Sequence, residues 1–163
     1  VWIADLRAEG LASGLNFRQM RLDRDRRAVL HQSDLESQAA AMWVRAIDAR
    51  PALASRLYAL LDRPTPPSDV RRTCEFLQAA ERPTFVEAMT AEFFSHAGER
   101  AVPVAVGSSL GASLSELERK LQRQVVMVSP ALLGILQLCP AVPAFAELQK
   151  ELLDSAAAAP PPA

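Results

Sequence analysis

Pro83-Thr84-Phe85-Val86-Glu87-Ala88-Met89-Thr90-Ala91-Glu92-Phe93-Phe94-Ser95-His96-Ala97-Gly98 is the stretch from which the fold is read. Proline suits the first turn of a helix, because its fixed φ fits and its missing N–H would go unpaired there anyway. Phe85, Met89 and Phe93 recur every four residues and share one helical face. Glycine is a common stop signal just past a helix. The spacing therefore predicts a helix from Pro83 to near Gly98, with one apolar stripe that needs a neighbour.

The same pattern of a proline, an apolar residue two positions on and another four beyond occurs twice more, at Pro51-Leu53-Leu57 and Pro130-Leu132-Leu136. Around these lie further helical stretches. One runs from about Asp23 to Ala49, charged early and carrying Ala40, Trp43 and Ile47 later. Pro51 ends it and starts the next, with Leu53, Leu57, Leu60 and Leu61. Residues 63–68, Arg-Pro-Thr-Pro-Pro-Ser, form a stiff extended elbow. Ser68 or Asp69 then caps a helix bearing Val70, Cys74 and Leu77. Ser113 with Glu116 matches a capping box, opening an amphipathic helix with Leu114, Leu117, Leu121, Val125 and Val128 on one stripe. Ser129-Pro130 caps and restarts, and a last helix carries Phe145, Leu148 and Leu152.

Val102, Val104 and Val106 alternate as in a strand, but Pro103 demotes the stretch to an edge or an extended linker. With six glycines and a single asparagine, Asn16, hairpin turns are scarce. The expected fold is all-α: an irregular bundle of about six to eight short helices, or a short helical-repeat solenoid segment. At 163 residues the chain suits one domain that buries roughly two-thirds of its unfolded surface. The expectation is a single helical domain over residues 1–155 and a disordered Ala/Pro tail over 156–163. Val1 in place of Met suggests a fragment of a longer protein. Early charges at Asp5, Arg7 and Glu9 do not read as a signal peptide, and the expected location is intracellular, cytoplasmic or nuclear.

Composition excludes more than it assigns. A net charge of −1 gives no global attraction to nucleic acid or anionic lipid. Cys74 and Cys139, on expected helices, read as buried free thiols and make no metal framework. Glu92 and His96 lie one helical turn apart and read as an ordinary surface pair, because the further carboxylates of a bundle metal site are missing. Gly107-x-Ser109-x-Gly111 fits a nucleophile elbow by letters, but that device sits in a parallel α/β sheet, and no other convincing strand offers one. Asp154 and two distant histidines are poor partners for such a serine.

Three surfaces remain. Arg18, Arg21, Arg24, Arg26 and Arg27 interleave with Asp23 and Asp25; a solvated helix face explains them, and a patch for nucleic acid or an acidic partner is the alternative. From Val125 to Ala146 no residue is charged. A buried central helix explains this run, and an apolar hairpin that inserts into a membrane is the alternative, with Pro130, Pro140 and Pro143 against a continuous span. The aromatic residues, Trp43 and Phe94 among them, are hard to bury entirely in so short a chain, so one face stays open to a partner. The leading expectation is a non-catalytic scaffold or adaptor domain, partnered by another protein chain or by itself. Arg18, Arg21, Arg24, Arg26, Arg27, Trp43 and Phe94 are its candidate contacts. No catalytic residue, cofactor, metal or small-molecule substrate is expected.

Overall fold

The computed structural model describes residues 31–80, 82–108, 115, 118–120 and 122–150. They are mostly helical, with one small sheet. In chain order come α1 (Gln32–Ala49), a 3-10 turn (Pro51–Leu53), α2 (Ala54–Leu61), α3 (Ser68–Arg71), α4 (Thr73–Ala80) and α5 (Pro83–Ala97). Strands β1 (Ala101–Ala105) and β2 (Gln124–Val128) and helix α6 (Pro130–Leu136) follow. Residues 145–150 are helical again.

Helix α1 begins at Gln32 rather than near Asp23. His31 is extended (φ −133°, ψ 115°) and its carbonyl accepts from the N–H groups of Asp34 and Leu35. The reason is burial: the covered stripe starts at Leu35 and continues through Ala39, Trp43 and Ile47, four apart and each at most 9% exposed. The arginine-rich stretch before it has no such stripe and lies outside the described residues.

All three repeated prolines stand in the first turn of a helix, at Pro51, Pro83 and Pro130. Of the six apolar residues in register with them, Leu57, Phe85, Met89, Leu132 and Leu136 have no exposed surface, and Leu53 packs on the same core. Helix α5 lies against α1, α2 and α6, so its stripe closes the centre of the molecule. It ends where Gly98 takes φ +88° while donating to the Phe94 carbonyl at 2.8 Å. A side chain at that φ would be strained even though a Cβ there would meet nothing. At α6 the Ser129 hydroxyl accepts from the Leu132 N–H at 3.2 Å.

The capping expected from Ser68 or Asp69 is corrected. Pro67 occupies the cap position (φ −54°, ψ 150°), and no side chain bonds the helix end. The helix expected there is also broken at Arg72 (φ −89°, ψ 1°), dividing α3 from α4. The buried Thr73 hydroxyl donates at 2.6 Å to the Val70 carbonyl, which also accepts from the Arg72 N–H at the break.

The larger correction is the sheet. The all-α expectation holds for most of the described residues, but they also include a parallel pair, β1 and β2, in register from Ala101↔Gln124 to Ala105↔Val128. Parallel strands need a crossover. Here it spans residues 106–123, with helical residues at 115 and 118–120. Gln122 takes φ +49°, a left-handed end to that helix, and turns the chain into β2. Val125 and Val128, read above as the end of an amphipathic helix, therefore belong to a strand. Their spacing from Leu117 and Leu121 suits a helix by coincidence, while the run Val-Val-Met-Val suits a strand. The capping box Ser113–Glu116 lies outside the described residues.

Pro103 sits inside β1 and is buried. Val106 donates to the Val128 carbonyl at 2.9 Å, so Val106, Val104 and Val102 turn their peptide groups toward β2. By the strand period of two, Pro103 turns its missing N–H to the far side, where the ladder needs none.

The uncharged run 125–146 is neither one buried helix nor one hairpin of helices. It comprises most of β2, then α6, a turn through residues 137–140, and the start of the helix at 145–150. No helix among the described residues is long and apolar enough to cross a membrane.

Candidate functional site

The end of α4, the start of α5 and the turn after α6 meet around an open groove of about 430 Å³. Leu77, Val86, Leu138, Cys139 and the two prolines Pro83 and Pro140 give it an apolar floor and walls. Arg82 and Glu87 add charge at its rim. Its geometry follows from helix ends: α5 starts at a proline and α6 stops before one, so two chain reversals lie side by side. Leu138, 38% exposed, projects from the second reversal. Arg82 is steadied by an ion pair with Asp48 of α1 at 3.2 Å.

A second, shallower hollow of about 580 Å³ lies between α3, α4 and the start of α6, edged by Pro66, Arg71, Arg72, Cys74, Glu75, Pro130 and Ala131. Arg72 donates through Nε and Nη2 to Glu75 Oε2 at 2.9 and 2.7 Å and through Nη1 to the Ser33 carbonyl at 3.3 Å. Glu36 lies 3.8 Å from Arg71 and 3.9 Å from Arg72. The Glu75 hydrogen bond pushes the Arg72 pKa up, so its charge is already matched within the fold. Cys74 is the one thiol at this hollow among the described residues. Burial, with the Glu75 charge second, pushes its pKa up, the opposite of what a thiolate nucleophile needs.

Cys74 and Cys139 are both free and half-buried. Cys139 is not on a helix but in the turn after α6. Cys74 Sγ packs against Gly134 of α6 so closely that a Cβ on that glycine would lie 2.6 Å from the sulfur. Glycine here lets α4 and α6 approach.

Glu92 and His96 stand on α5 with Glu92 Oε2 4.0 Å from His96 Nδ1. His96 Nδ1 lies 2.8 Å from the Glu92 carbonyl; a carbonyl only accepts, so Nδ1 carries the hydrogen. The imidazole stacks on Tyr58 with centroids 4.9 Å apart and planes at 17°. Burial first, then the charges of Asp62 and Glu92, push the Tyr58 hydroxyl up to about 12. Among the described residues no three His, Cys, Asp or Glu side chains converge as metal ligands would.

Of the expected contacts, Trp43 is a core residue of α1, 9% exposed. Its buried indole N–H has no hydrogen-bond partner among the described residues. Phe94 is half-buried, packed on the core and tilted against Phe93 at 5.3 Å. Neither lines the groove. Arg18, Arg21, Arg24, Arg26 and Arg27 lie outside the described residues, as do Ser109, Gly111 and Asp154, while Gly107 forms a turn after β1. Sequence reading missed Leu138, Arg82 and Glu87 as a group. The one available signal was Pro140, two residues after Leu138, which bars the chain there from continuing α6 as a helix.

Comparison with known protein families, with curated proteins and with solved structures gives no match.

Proposed function

We propose that this chain is a helical protein–protein interaction domain that docks an apolar side chain of a partner protein in the groove between α4, α5 and the turn after α6. The carrying observation is Leu138, a large aliphatic residue 38% exposed beside an apolar groove whose rim offers one cation and one anion. An apolar centre with a polar rim is the anatomy of a protein contact. Hot spots gather where a buried anchor fills such a hollow. The rest of the molecule is consistent with a support for this surface: Arg82 is held by Asp48, and Pro83 and Pro140 stiffen both reversals.

The test is affinity capture with the wild-type chain and with Leu138→Glu, each matched for helicity by circular dichroism. A protein retained by the wild type and lost with L138E supports the reading. Identical capture by both chains overturns it.

A further inference from the structure

We propose that β2 is a self-association edge: two copies of this chain pair their β2 strands antiparallel about a two-fold axis at Val126, and Glu118 restrains that pairing. This surface is separate from the groove and goes beyond the reading above.

The register fixes which backbone groups are free. The Val106-to-Val128 bond sets the phase of the parallel ladder, so Gln124, Val126 and Val128 turn inward to β1. Val125 and Met127 therefore turn their N–H and C=O groups to the open edge. The Val125 N–H confirms the phase, because it donates not to a strand but to Glu118 Oε1 at 2.9 Å. The Met127 N–H has no partner among the described residues.

Two outward residues spaced by two make the edge self-complementary. In an antiparallel pair centred on Val126, Val125 of one copy faces Met127 of the other, and each such pair exchanges two bonds, giving four. The strand Gln124–Val128 carries no charge to repel its copy and no proline or glycine to interrupt it. Its side chains agree. Val126 and Val128 face the core, whereas Met127, 41% exposed, shares the other face with the buried Val102 and Val104 and with Val106, 56% exposed. Pairing lays the exposed Met127 across the half-buried Val125 of the second copy.

The opposite edge of the sheet offers few free donors. The Ala101 N–H donates to the Gly98 carbonyl at 3.1 Å, Pro103 has no N–H, and the Ala105 carbonyl accepts from Ser108 at 3.2 Å. Strand addition is therefore favoured at β2 over β1, and a two-fold pairing at β2 uses up that edge, so the assembly closes at two copies instead of growing into a fibre. Two short strands make a small contact, so the dimer is weak and concentration-dependent. Glu118 weakens it further by occupying the Val125 N–H in each copy.

Sedimentation velocity over a concentration series, with amide hydrogen exchange at the same concentrations, tests this. The wild type forms a reversible dimer whose share rises with concentration. Glu118→Ala tightens it by roughly tenfold, since two restraining hydrogen bonds per dimer are lost. Met127→Glu, at an exposed site that leaves the fold intact, loosens it by a similar factor. Met127 exchange slows as the dimer forms. A wild-type chain that stays monomeric throughout overturns the proposal. So does a dimer that M127E leaves unchanged, or one in which Met127 exchanges as fast as in the monomer.

Discussion

Helix α5 and strand β2 are both apolar in sequence, yet different forces hold them. Helix α5 buries Phe85, Met89 and Phe93 completely against three other helices. Its place is set by side-chain volume, and it needs nothing from its own backbone beyond the usual helical bonds. Strand β2 buries only Val128 so fully and leaves Met127 41% exposed. Its place is set by main-chain pairing with β1 and by the Glu118 carboxylate. The difference is one of closure: the packed stripe is covered by its neighbours, whereas the strand leaves the Met127 N–H without a partner among the described residues.

The comparison can be broken most directly by truncating one residue from each element. Phe93→Ala leaves a cavity in a closed centre and is expected to cost about 3–5 kcal/mol in denaturant unfolding. Met127→Ala, in monomeric conditions, is expected to stay within about 0.5 kcal/mol. Equal losses would mean that β2 is packed as α5 is.

A second pair of measurements sharpens the volume argument at the α4–α6 contact. Gly134→Ala drives a methyl group into Cys74 Sγ, and overpacking of this kind costs about 1–3 kcal/mol. In a Cys74→Ala background the clash is gone, and the same change becomes neutral or stabilising through better helix propensity. Additive effects in the double-mutant cycle would place the strain elsewhere.

Ser129 joins the two regimes, leaving β2 and capping α6. Ser129→Ala is expected to cost about 1 kcal/mol, the usual loss of an N-cap. Temperature melts of both chains measure it; no change would show that Pro130 alone fixes the helix start.

The smallest effect at neutral pH is the alkaline response of Tyr58. Its hydroxyl is pushed from about 10 in the unfolded chain up to about 12 in the fold, chiefly by burial. Below pH 10 both states keep the proton and stability does not depend on it. Between about 10 and 12 the unfolded chain ionises first, so stability falls as pH rises through the folded value. Tyr58 is the only tyrosine, so phenolate absorbance reports it alone. Tyr58→Phe is expected to remove this part of the alkaline loss. An ordinary titration near pH 10 in the folded chain would rule out the burial.

The helices legible in sequence were those whose boundaries are local. Pro83 and Gly98 bracket α5, Ser129-Pro130 opens α6, and Pro51 ends α1, each by a backbone constraint carried by that residue itself. The strand partner of Val102–Val106 was not legible, because helical spacing from Leu117 to Val128 competes with the β-branched run inside it, and the contest is decided by pairing with a strand on the far side of a crossover. The groove was hidden for a similar reason. Leu77, Val86 and Leu138 come from three separate elements, and no local pattern marks which apolar residue will be left at a junction.

By itself, then, the chain's order of residues determined a largely helical molecule with proline-started segments and the stripes they bury, since φ restriction and a 3.6-residue period act within a few residues. Only the tertiary structure decided that β1 and β2 lie parallel, that Pro103 fits inside a strand, that Glu118 covers one edge amide, and that Leu138 stands at a groove. Each of these depends on which distant backbone comes alongside, and that is fixed by packing and hydrogen-bond pairing after the segments have formed.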